Sequence, residues 1–119
     1  MQQYPKNIKR LLREYMGEAY ELELHRELVK LDQGFAEWRD GQIGSGELSY
    51  RIHQYETGPS RELYKKYNYS PHDVNVAYAI VTNILKRDEI PAELLEAISS
   101  LLAFYQSLKE EGKLKEPGE

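Results

Sequence analysis

After Pro5 the chain runs to Arg39 with no further proline, and its apolar residues change face half-way along. Ile8, Leu12, Tyr15, Ala19 and Leu22 follow one another at helical spacing, and Leu24, Leu28, Leu31, Phe35 and Trp38 do the same. At 3.6 residues per turn the second stripe lies about 160° around the axis from the first. Either the helix breaks near Glu21–Glu23, where no proline or glycine stands and Gly17 comes a turn too early, or it continues and buries opposite faces in its two halves. A chain of 119 residues has little left with which to cover both faces of so long a helix. The pattern therefore predicts a homodimer, with Leu24, Leu28, Leu31, Phe35 and Trp38 at the interface. Later helices wrapping both sides would be the alternative.

The remaining chain also reads as helix, because no alternating apolar and polar run bounded by turn signals is present. Asp40-Gly41 and Gly44-Ser45-Gly46 form one loop, with Ser45 the expected N-cap. Gly58-Pro59 is read as a second break, Ser70-Pro71-His72-Asp73 as a helix start capped by Ser70, and Pro91 as a fourth punctuation. Helices are thus expected at Pro5–Arg39, Glu47–Thr57, Pro59–Asn68, Pro71–Arg87 and Pro91–Glu111. The helix from Pro71 would be central, with only Asn75, Ala79, Thr82, Asn83 and Lys86 on a narrow outer arc. The last would face inward through Leu94, Ile98, Leu101, Leu102, Tyr105 and Leu108. The fold class is all-α, a compact bundle of about five helices with a long N-terminal helix. It forms one domain over 1–112, followed by a flexible tail over 113–119.

Composition closes several routes. With no cysteine, the chain has neither disulfides, thiolate metal sites nor a cysteine nucleophile. The start Met1-Gln2-Gln3-Tyr4-Pro5 lacks the apolar core of a signal peptide. The longest apolar-rich stretch, Val74 to Leu85, is interrupted by Asn75, Thr82 and Asn83 and is too short to span a bilayer. These readings suggest a cytoplasmic protein with no membrane role. A formal net charge of −4 argues against a general nucleic-acid coat. The charges nonetheless alternate in blocks: residues 1–13 and 58–87 are basic, whereas 14–57 and 88–119 are acidic. Such blocks can complement one another within the fold or across a dimer.

Three clusters could carry chemistry. Glu14, Glu18, Glu21 and His25 share a helix face, but none of the three histidines is the fourth residue of a Glu-x-x-His pair and no two lie four apart. No metal site is expected. Arg51, His53, Glu56 and Arg61 surround Gly58-Pro59, where His53 and Glu56 stand one turn apart and a helix opening at Pro59 would present free N–H groups. They form a candidate site for an anionic ligand or acid–base step, set against an ordinary polar corner. Finally, basic and aromatic residues interleave over Arg61–Tyr69. Lys65 and Lys66 could join Lys6, Lys9, Arg10 and Arg13 in a basic patch, the weaker nucleic-acid alternative. Phosphate loops, nucleophile elbows and cofactor motifs are absent from the sequence, so no cofactor is expected. The leading expectation is a non-catalytic homodimer acting by protein–protein association, as an adaptor, regulatory or antitoxin-like module.

Overall fold

The computed structural model describes residues 3–118. Its first helix, α1, spans Lys6–Arg39 as 34 unbroken residues. Leucine, glutamate, arginine and lysine, all good helix formers, dominate it, and Arg10 pairs with Glu14 at 3.0 Å one turn on. At 1.5 Å per residue α1 measures about 51 Å, close to the 53 Å long axis of the whole molecule.

Helix α1 stops in a Schellman motif. Gly41 takes φ +77°, its N–H donates to the Trp38 carbonyl at 3.1 Å, and that of Gln42 donates to Glu37 at 2.8 Å. Helix α2 covers Ser45–Tyr55 and α3 covers Arg61–Tyr69, joined by a π-helical turn over Glu56–Ser60 that contains Pro59. The break expected at Gly58-Pro59 is therefore not there. The backbone stays helical, and the wider π turn accommodates a proline that has no N–H to offer. Ser45 is the first helical residue rather than the cap, and its hydroxyl instead accepts the Trp38 indole N–H at 3.1 Å.

Helix α4 spans His72–Val81, starting one residue after the expected Pro71, with Pro71 itself at the N-cap and Ser70 closing α3. It ends well before Arg87 because Asn83 adopts φ +63°. The Ile84 N–H then reaches Ala79 at 2.8 Å and the Asn83 N–H reaches Ile80 at 3.2 Å, a second Schellman motif. A 3₁₀ turn at Arg87–Glu89 leads to α5, Ala92–Ala97, and α6, Ser99–Glu110. These two divide the last expected helix at Ile98. Gly112, at φ +69°, terminates α6 at Glu110, one residue before the expected end at Glu111. All regular structure among the described residues is helical, and no described helix is long and apolar enough to cross a membrane.

The core lies at one end. Val76, Ile80, Leu94 and Ile98 are fully enclosed, with Ile8, Leu12 and Ala19 of α1 and Leu102 of α6 closing around them. The outer arc expected of α4 is largely buried as well. Ala79 is fully buried, the Asn75 amide donates to the Lys66 carbonyl at 3.1 Å, and the Thr82 hydroxyl donates to the Tyr78 carbonyl at 2.7 Å. With their hydrogen bonds met, these short polar side chains can leave water at little cost.

From this bundle the second half of α1 extends beside α2 as an antiparallel pair of helices. The radius of gyration is 17.2 Å, against about 13.5 Å for a globular domain of this length.

Candidate functional site

Where the two-helix extension leaves the bundle, the chain forms a cleft of about 920 Å³. One wall is the middle of α1, with Glu23, Arg26, Glu27 and Lys30; the opposite wall is Pro59, Leu63, Lys66, Asn75 and Tyr78. The segment after α6 folds back to form a third side: Leu114 packs on the core and the Tyr78 hydroxyl donates to the Lys115 carbonyl at 2.6 Å.

Glu23 is the chemical centre of this cleft. It is only 5% exposed, and its Oε2 accepts both the Lys66 ammonium at 3.0 Å and the Tyr67 hydroxyl. The ammonium also lies 4.1 Å from the centre of the Tyr78 ring, so desolvation is offset by an ion pair, a phenol and a π face together. Tyr67 stacks on Tyr20 of α1 with ring centroids 5.0 Å apart. Burial, and then the hydrogen bond to Glu23, push the Tyr67 phenol well above its ordinary range. The Tyr67 phenol is thereby held as a hydrogen-bond donor to Glu23.

A second feature is the extension itself. Of the interface residues read from the sequence, Leu24, Leu31 and Phe35 are half-buried and Leu28 and Trp38 are exposed, at 43% and 41%. Helix α2 covers only one flank of them. Leu48 and Arg51 lie against Gly34, and Arg51 is tied to Glu37 at 2.8 Å and Glu47 at 3.2 Å. Ile52 of α2 is exposed as well, and so is Val29, which lies on the other side of α1 from the stripe.

The four residues around the π turn do not converge. Arg51 reaches Glu37 across the helix pair and Glu47 one turn back on its own helix, while His53, Glu56 and Arg61 are exposed, and no hydrogen bond or ion pair joins the four among the described residues. No helix opens at Pro59 to present free N–H groups; the proline lines the cleft instead. In the basic set, Lys6, Lys9, Arg10 and Arg13 lie on the exposed side of α1, opposite its core contacts, and Lys65 is exposed on α3. Lys66 turns inward to Glu23. Glu14, Glu18, Glu21 and His25 all face solvent.

Sequence reasoning passed over Glu23 and Tyr67, although a signal was present. On the helical wheel Glu23 lies about 20° from Leu12, a carboxylate on the apolar face of α1. Comparison with protein-family models, with curated proteins and with solved structures finds no match for the chain.

Proposed function

We propose that the chain is a protein–protein association module that acts as a homodimer, joined through the uncovered face of the α1–α2 extension. The observation that carries this reading is the missing third layer: two helices alone leave Leu28 and Trp38 of the stripe substantially in water, with Leu24, Leu31 and Phe35 only half-buried beside them. An apolar stripe left half-covered along one helix face marks an interaction site. A second copy suits it because the stripe is close to palindromic about Leu31, with Leu24 and Trp38 seven residues to either side and Leu28 and Phe35 at three and four. Two straight copies of α1 laid antiparallel across a twofold axis at Leu31 would bring stripe onto stripe, as an isologous contact requires. With α2 from each copy, the result is a four-helix layer.

Light scattering behind size exclusion, at two concentrations, tests this. The expected result is a dimer for the wild type and a folded monomer for Leu28→Asp, whose side chain is exposed enough that folding of the single chain should survive. A wild type that remains monomeric at both concentrations would sink the proposal.

A further inference from the structure

We propose, independently of the dimer, that the cleft beside Glu23 is a binding site for a small, uncharged aromatic molecule that donates an N–H or O–H hydrogen bond. The argument begins with the second oxygen of Glu23. A carboxylate offers about four acceptor positions, yet both hydrogen bonds to Glu23 fall on Oε2. No enclosed side-chain oxygen lacks a partner among the described residues. Oε1 therefore opens into the cleft that Glu23 lines. Open to the cleft, this oxygen is met by water until a ligand displaces it, so a ligand seated there must bring a donor of its own or leave a charged acceptor unmet.

The walls specify the rest. Leu63, Val74 and Leu114 are apolar, and the Tyr78 and Tyr105 rings meet edge to face at 6.0 Å, an arrangement into which a flat ring packs well. Charge argues for a neutral ligand. The four cations and four carboxylates that line the cleft cancel, and among them Lys66 pairs with Glu23 at 3.0 Å and Lys30 with Glu27 at 3.2 Å. A cationic ligand at Oε1 would meet the Lys66 ammonium, and an anionic one would meet the carboxylate. The volume, about 920 Å³, lies in the range of roughly 300–1,000 Å³ that holds small organic ligands.

Indole, which has a flat ring and one N–H, is a suitable probe, and N-methylindole is its counterpart without the donor. Both are titrated into the full chain while amide resonances are followed. Indole is expected to shift the signals of Glu23, Lys66, Tyr78 and Leu114 saturably, and N-methylindole to bind at least about tenfold more weakly, because a hydrogen bond to a charged group is lost. Leu63→Trp, which fills the cleft from its apolar wall and leaves Glu23 and its partners in place, is expected to abolish the response. Equal binding of the two indoles, a response unaltered by Leu63→Trp, or no saturable shift at millimolar indole would each overturn the proposal.

Discussion

Glu23 and Lys66 show how unequal the two ends of one ion pair can be. The carboxylate side chain is 6% exposed and the ammonium side chain 28%. Removing the lysine strands a buried charge, whereas neutralising the glutamate leaves an ammonium that can turn toward water. Lys66→Ala is therefore expected to lower the free energy of unfolding by about 3 kcal/mol, and Glu23→Gln by only about 1 kcal/mol, as read from urea denaturation. At the other end of the bundle Tyr4 donates to Asp73 at 2.8 Å. Burial and this bond push its phenol up to about 12. Because folding favours the neutral phenol, the stability that Tyr4 supplies is fully present below pH 10, the pKa of a free tyrosine, and is lost as pH rises toward 12. Tyr4→Phe should flatten that part of the stability–pH curve. An unchanged slope in chemical denaturation across this window would show that Tyr4 does not contribute.

At the scale of elements, periodicity and punctuation do not carry equal weight. The ends of α1 were legible because propensity, Pro5 and the Asp40-Gly41 stop agree, whereas its continuity was not, since the change of apolar face left room for a break near Glu21–Glu23. Gly112 likewise ends α6 where a glycine at positive φ should. Asn83 was misread because asparagine in a helical context signals nothing by itself; only the left-handed conformation it tolerates turns it into a terminator. Asn83→Ala places an ordinary Cβ at φ +63° and should cost about 1 kcal/mol, while Asn83→Gly should cost nothing measurable in thermal unfolding. Gly58-Pro59 misled in the opposite direction. Both residues are common in breaks, but helices α2 and α3 both pack on α1 and thereby hold the segment between them in a helical path.

For the whole molecule, shape is the informative property. One end is a packed bundle and the other is a pair of helices without a core of its own, a division already implied by the two stripes of α1. The cleft between these parts was not legible, since it depends on Lys66 and Tyr67 reaching Glu23 across more than forty residues of chain. Dimerisation would also tie stability to concentration: the wild-type melting temperature should rise with protein concentration and that of Leu28→Asp should not. The π turn has a further consequence. Leu48 and Tyr67 both face α1 although nineteen positions separate them, an offset of about 100° on a regular helix. The turn absorbs one residue and restores a whole number of turns, so the chain carries one spare residue at that point. Deleting Thr57 together with Pro59→Ala, which removes the need for the wider turn, should therefore leave Leu48, Tyr67 and the Glu23 cluster in register, whereas deleting Thr57 alone sets Pro59 inside a regular helix and should cost about 3 kcal/mol. In that sense Glu56–Ser60 is an adjustable joint, the place where this molecule can change length without losing its fit.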